Sequence, residues 1–464
     1  MALDLADIQG NLLQGYRSEN ARHFALGIGN AQGGAAFIGD LVSGDETRSP
    51  QITTAELWPP GQKPSYRLNI GITCGGLEAL GVPDGTLAAF PAAFREGAAQ
   101  RALDPDPDYA KGANLGDNLA SSPANWILGG TQDPPVHVVL SLYTDDAQHL
   151  DELSTKLRAL FAANGLDEIA AHDANALPGG RVHFGYRDGI AQPQIAGAPG
   201  KDVPDMQPQA NVGDFLLGCD YVNLYGGNYL EAIPSELGDN ATYGAFLMLR
   251  QDVAAFEDFL QHRAKRWQLN KELVAAKLLG RWRDGTPLTL APDGGHTIPD
   301  ERINEFDYAP GDGHEAFYDD VTGIRCPIGA HIRRLNPRGS LVMGKPHSRR
   351  LVRRGMPYGP PYDPANPNDG AERGLVGLFI CGDLEMQFEF ILRVWANEDI
   401  STHGLRGTRD PLIGAQPPDG GEFVIRTDDS RDPIVFNGLP RLTQTRGSVY
   451  VLIPGIGGLR HLAS

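Results

Sequence analysis

Cysteine is sparse in this sequence. Cys74, Cys219, Cys326 and Cys381 are the whole supply in 464 residues, with no CxxC and no close pair. Zinc or iron–sulfur ligation needs tighter clusters, so the spacing argues against both. Four scattered thiols suit a reducing compartment, with two disulfides left open as the alternative. Long apolar runs are missing as well, and nothing approaches the length of a membrane span. The start, Met1-Ala-Leu-Asp-Leu-Ala-Asp7, has no basic stretch followed by an apolar one, so no signal peptide is visible. The expectation is a cytoplasmic protein, or a secreted one where a targeting segment precedes this stretch. Positive charge is short: 40 Lys and Arg face 58 Asp and Glu, a formal net charge of −18. Such a surface repels phosphate backbones, which argues against a nucleic-acid partner. No HExxH, P-loop, Rossmann glycine pattern or G-x-S-x-G elbow is present. That leaves metal-dependent hydrolysis, nucleotide binding and serine hydrolysis without their usual signatures.

What is present is an ordinary globular composition, 41% hydrophobic and 21% charged, long enough for two domains. The 58 Gly and 35 Pro are scattered, which points to long ordered loops. Strands are expected at 22–30, 65–74, 137–143 and 168–174, with helices up to about Val42, near Leu77–Leu80 and over 146–163. The last carries Leu150, Leu153, Leu157 and Leu160 on one face. This β-α-β-β-α-β order is the ferredoxin-like plan. The second half echoes it, with strands at 241–250, 375–381 and 448–454 and helices at 252–266 and 384–395. The expected fold class is α+β: two ferredoxin-like domains, residues 1–215 and 216–464, in a dimeric α+β barrel-like arrangement within one chain. Residues 283–372, rich in Gly, Pro and Arg, read as a long irregular and functional stretch.

Three segments carry chemistry. His331 lies in Arg325-Cys-Pro-Ile-Gly-Ala-His-Ile-Arg-Arg-Leu-Asn-Pro-Arg338, where Pro327 would open a short helix and Asn336-Pro337 would end it. One imidazole on a rigid element, flanked by guanidinium groups such as Arg333, suits a haem: nitrogen for the iron, arginine for the propionates. A lone histidine is more often structural, so context must decide. Asp188 lies in Gly185-Tyr-Arg-Asp-Gly189, by itself a turn signal. Its functional reading needs a pocket, with glycines that let backbone approach a flat ring and Ile190 against the ring face. The third segment, His347-Ser-Arg-Arg-Leu-Val-Arg-Arg-Gly-Met-Pro-Tyr-Gly359, is densely basic in an acidic protein and invites an anionic partner.

In this order the three segments resemble the dye-decolourising peroxidase family, whose signature is GxxDG, a C-P-x-x-A-H-I-R-type segment, then an Arg shortly before Pro-Tyr-Gly. Asp7-Ile-Gln-Gly-Asn-Leu-Leu-Gln-Gly15, Gly76-Leu-Glu-Ala-Leu-Gly-Val-Pro83, Val274-Ala-Ala-Lys-Leu-Leu-Gly-Arg-Trp-Arg283, Gln387-Phe-Glu-Phe390 and Thr445-Arg-Gly-Ser-Val-Tyr450 extend the likeness along the chain. The resemblance implies two ferredoxin-like domains with haem b (iron protoporphyrin IX) in the second. It implies His331 as iron ligand, Asp188 as distal acid and Arg353, rather than the adjacent Arg354, as distal cation. Asp410 is the candidate carboxylate on the second nitrogen of His331, and Leu375 and Leu378 are candidate haem contacts. Gly377 departs from the family, where a larger residue is expected, and suggests a roomier pocket. The implied partners are hydrogen peroxide and small organic reductants, dyes and phenols among them. The implied step is O–O heterolysis to a ferryl product, assisted by Asp188 and Arg353. A carboxyl group ordinarily titrates near ~4, which predicts an acidic optimum. Bulky dyes would pass electrons through a surface Tyr or Trp; Trp58, Trp126, Trp267, Trp282 and Trp395 are the tryptophans at hand. Rival readings are a haem-handling protein, deferrochelatase-like or for storage, and a haem-free scaffold binding an anionic partner.

Overall fold

The computed structural model describes residues 3–43, 49–103, 115–199, 207–222, 228–229, 233–295, 298–308, 320–340, 345–398, 400, 405–427 and 432–464. A short helix α1 (Gly10–Leu13) leads into β1 (Asn20–Ile28), α2 (Ala31–Ser43) and β2 (Tyr66–Ile72). Helices α3 (Cys74–Ala79), α4 (Asp84–Leu87) and α5 (Ala92–Leu103) precede β3 (Val138–Thr144), and α6 (Ala147–Ala163) and β4 (Leu166–Asn175) follow. Side chains start these helices where the sequence offers a capping oxygen. Thr73 Oγ1 accepts from Gly76 N at 2.9 Å and Asp146 Oδ1 from His149 N at 2.7 Å, caps worth about 1 kcal/mol each. On α6 the stripe Leu150, Leu153, Leu157 and Phe161 is buried, while Leu160 sits at its margin.

Between the halves lie a two-rung ladder of β5 (Tyr221–Val222) and β6 (Asn228–Tyr229) and the single turn α7 (Ser235–Gly238). The second half opens with β7 (Thr242–Gln251), α8 (Val253–Trp267) and α9 (Lys271–Leu279). It continues through α10 (His331–Leu335), β8 (Val352–Tyr358) and β9 (Gly374–Cys381) to π-helical turns at Leu384–Glu389 and Ile391–Ala396. A hairpin of β10 (Gly421–Ile425) and β11 (Ile434–Leu439), then β12 (Thr443–Ile453) and α11 (Ile456–Leu462), complete it. The stretch 283–372 is therefore not irregular throughout. Parts of it (296–297, 309–319 and 341–344) lie outside the described residues, but it contains α10 and the strand β8. Helix α10 starts at His331, later than the Pro327 start expected; Ala330 N closes a turn onto Pro327 O at 2.9 Å.

Eight strands form one sheet in the order β4-β1-β3-β2-β12-β7-β9-β8, antiparallel throughout. Each half contributes its strands in the same order: fourth, first, third, second. The halves join where Leu452 of β12 pairs with Ile72 of β2. At the other ends, Cα atoms of β4 and β8 come within 8 Å, so the sheet curls towards a barrel. Tyr16, Tyr143, Phe246, Met248, Val376 and Val449 pack in one core. A second core joins α2 and α6 to strand positions such as Phe24, Leu140, Leu247 and Tyr450. All four cysteines are unpaired. Among the described residues, no helix is long and apolar enough to cross a membrane.

One buried ion pair ties the halves together. Arg101 of α5 donates to Glu389 in the π-helical segment, Nε to Oε1 at 2.9 Å and Nη2 to Oε2 at 2.5 Å; both residues are buried. Tyr450 OH also donates to Glu389 Oε1, at 3.1 Å. Removing one partner strands a buried charge, which costs roughly 3–5 kcal/mol. Arg101→Met is expected to lower stability by about that amount in urea unfolding; a loss under ~1 kcal/mol, typical of surface ion pairs, would show that the pair is solvated.

Candidate functional site

Helix α9 packs against α10, and the π-helical turns close over the same face of the sheet. Between them and strands β7, β8, β9 and β12 lies a cavity of about 320 Å³, counted as space open to the centres of water molecules. Its walls are largely apolar, with Phe388, Ile391, Leu392, Leu412 and Ile413 on the helical side.

His331 borders this cavity, and its ring is oriented from behind. Nδ1 lies 3.1 Å from both Oδ1 and Oδ2 of Asp410. Asp410 is fully buried, and its Oδ1 also accepts from Leu412 N and Ile413 N, each at 2.9 Å. Burial alone would push this carboxyl up, but the neighbouring imidazole and the two N–H groups hold it below the ordinary carboxylate range. A charged carboxylate on Nδ1 fixes the tautomer, with the proton on Nδ1 and Nε2 left for the cavity. Among the described residues no group of three or more His, Cys, Asp or Glu side chains could hold a metal ion. A metal here would need most of its ligands from elsewhere, as in a porphyrin.

Asp188, Ile190 and Arg353 border the same cavity. The Asp188 loop doubles back on itself: Asp188 N donates to Gly180 O at 2.9 Å, and Gly185 and Gly189 have φ of 85° and 71°. A Cβ at Gly189 would meet nothing within 4 Å, so backbone conformation rather than crowding calls for glycine there. Arg353 and Arg354 are neighbours on β8, and adjacent strand residues face opposite ways. Arg353 Nη2 donates to Ala191 O at 2.9 Å, next to the Asp188 loop. Gln192 braces its backbone from both sides, accepting from Arg353 N at 3.0 Å and donating to Arg353 O at 3.1 Å. Arg354 also borders the cavity, but its guanidinium donates to Asn11 O at 2.6 Å and Leu12 O at 3.0 Å. Burial there, with the like charge of Arg353 next to it, brings it down to about 10. Arg353, on β8, is therefore the one of the two that is hydrogen-bonded to the Asp188 loop.

Arg333 is a correction. Two residues beyond His331 on a helix it points about 200° away, and it does not border the cavity. Its guanidinium is buried against Asp320 (Oδ2 at 3.1 Å, O at 2.8 Å) and Cys326 O (2.8 Å), above the Tyr308 ring at 4.3 Å. The arginines that do border the cavity include Arg281, Arg338 and Arg350, from three separate segments. Leu375 and Leu378 both border it from opposite faces of β9, and Leu378 also packs with Val376 and Ile380. Gly377 does not signal a roomier pocket. A Cβ there would come within 2.9 Å of Gly355 Cα and 3.1 Å of Arg354 O, so the close approach of β8 excludes a side chain. Gln192 was missed in the sequence, although it lies four residues beyond Asp188. So was the inner end of the cavity, with Asp117, Arg441, Thr443 and Thr445.

No protein-family model matches the chain. It is 28% identical over 478 residues to a dye-decolorizing peroxidase of Exidia glandulosa, covering 99% of this chain and 87% of the relative. It is 27% identical over 481 residues to the multifunctional dye peroxidase DyP2 of Amycolatopsis sp., covering 99% and 96%. Among solved structures, a dye-decolorizing peroxidase in complex with 2,6-dimethoxyphenol superposes with a TM-score of 0.80 at 26% identity, covering both chains fully. The peroxidase of Auricularia auricula-judae shares the fold, with a TM-score of 0.79 at 24% identity.

If His331 is the ligand, His331→Ala should take up haemin at least tenfold more weakly than the parent, read from absorbance and iron content. Full occupancy with an unchanged spectrum would remove His331 from that role.

Proposed function

We propose that the chain is a member of the dye-decolourising peroxidase family, a haem b peroxidase that reduces hydrogen peroxide while oxidising dyes, phenols and related organic compounds. The observation that carries this reading is the convergence on one cavity of an imidazole backed by a buried carboxylate with an aspartate and an arginine that is braced by the aspartate's loop.

The donor set fits haem. His331 Nε2 would hold the iron, apolar side chains would cover the ring, and the arginine-lined side of the cavity would meet its carboxylates. When bound, haem supplies the redox-active iron and a conjugated ring able to give up electrons. The residues do the rest. Asp410 accepts the Nδ1 proton of His331 as a hydrogen bond, which makes the imidazole a stronger donor at Nε2. Asp188 takes a proton from one oxygen of hydrogen peroxide and returns it to the other, which leaves as water. Arg353, fixed by Ala191 O and Gln192, supplies positive charge where negative charge develops on the leaving oxygen. The guanidinium is in position beforehand, so little reorganisation is needed at the moment of reaction.

Arg353→Leu is expected to keep its cofactor and react with peroxide roughly 10²–10³-fold more slowly, the usual loss for one such charge-stabilising donor. Arg354→Leu should act mainly on stability, because its guanidinium is held by α1. Stopped-flow mixing with peroxide separates the two, and the reverse pattern would move the cationic role to Arg354. A carboxylate relays protons at lower pH than an imidazole, so dye oxidation is expected to peak in acid. A profile centred at or above neutrality would remove Asp188 from the relay.

A further inference from the structure

The cavity has two polar ends of different character. One is the end described above, with Asp188 and several arginines. The other lies where β7 ends and β12 begins. Gln251 stands there, opposite Thr443 in the strand register, with Thr445 opposite Leu249. Gln251 is four residues from Leu247, the partner of Gly377 on β9, or about 13 Å along the strand. Asp117, Arg441, Leu115 and Trp126 close this inner end.

Its chemistry is not that of an anion site. Arg441 is spent on backbone: Nη2 donates to Gly116 O at 2.6 Å, Nη1 to Asn118 O at 3.1 Å and Nε to Thr443 O at 3.1 Å. Those bonds shape the loop that presents Asp117, whose Oδ1 accepts from Thr445 Oγ1 at 2.5 Å. Burial pushes the Asp117 carboxyl up to about 6, and above that pH its negative charge offsets the positive charge of Arg441. Gln251 is 7% exposed, and its Oε1 is buried without a hydrogen-bond partner among the described residues. An unsatisfied buried acceptor costs about 1–3 kcal/mol, a deficit that a ligand with a hydroxyl or amine donor would remove. Trp126, 5% exposed with its indole N–H tied to Ser121 O at 2.6 Å, offers ring surface, and Ala98, Leu247 and Leu249 add apolar wall.

We propose that this inner end is a separate binding subsite for a small uncharged aromatic alcohol or amine, its ring against Trp126 and Leu249 and its donor directed at Gln251. The subsite deepens the peroxidase reading, since such a compound would serve as reductant, but binding itself needs no peroxide.

Calorimetric titration of the resting haem-loaded protein with phenol and with anisole, which lacks the donor, tests it. Phenol is expected to bind about tenfold more tightly than anisole, the worth of one good hydrogen bond. In Gln251→Met, similar in length and shape, that preference should vanish, while Asp188→Asn should retain it. If Gln251→Met does not fold, Asp117→Ala takes its place and should weaken phenol binding severalfold. The proposal falls if neither compound binds, if the preference survives the inner-end variant, or if it is lost in Asp188→Asn instead. Phenol binding of the expected pattern in a protein inert to peroxide would leave the subsite standing and remove the peroxidase reading.

Discussion

The contact between Asp410 and His331 decides what the cavity can be. A histidine free to rotate would present either nitrogen, protonated or not, and would bind a metal weakly. Here a fully buried carboxylate holds Nδ1 at 3.1 Å and is itself held by two backbone N–H groups. Its charge survives burial because three hydrogen-bond donors converge on it. Two of those donors come from the segment after Asp410 and the third, His331, from α10, so the geometry depends on how two distant pieces of chain are packed. Asp410 N bonds to Ala396 O at 2.8 Å, and Arg334 clamps Trp395 O and Thr408 O. The last π-helical turn thereby becomes the common anchor.

The sheet supplies the opposite wall. Because both halves use the same strand order and meet edge to edge, the second half can give one face to the barrel-like interior and the other to the cavity. Strand β8 is where the two uses meet. Arg354 turns inward to α1, and Arg353 turns to the loop that carries Asp188. The glycines Gly355 and Gly377 face each other across β8 and β9. The strands lie too close there for a side chain at 377.

Much of this was legible in the sequence. Short apolar-rich stretches marked six of the eight strands of the main sheet, the ferredoxin-like order supplied β4, and the leucine stripe of α6 marked its buried face. Asp188, Arg353 and His331 stood out through ordered motifs, and Asp410 only as the carboxylate that the family resemblance calls for. β8 did not stand out, because Val-Arg-Arg-Gly-Met-Pro-Tyr has no apolar alternation; it is a terminal strand, where Pro357 and charge are tolerated. Arg333 was misread because closeness in sequence to His331 was taken as closeness in space, whereas two helical residues diverge. Gly377 was misread because a missing side chain suggests space, and only the neighbouring strand reveals that none exists. The inner end of the cavity was illegible for a further reason: Asp117, Gln251 and Arg441 come from three segments with no shared motif.

The central claim is that this cavity places one imidazole-held haem beside Asp188 and Arg353 for reaction with peroxide. The most direct measurement is the visible spectrum of the purified protein before and after one equivalent of hydrogen peroxide, then after a dye. The account predicts a Soret band that shifts within the mixing time of a stopped-flow instrument and returns when the dye is added. A Soret band indifferent to peroxide, or a protein that stays colourless after reconstitution with haemin, would contradict it.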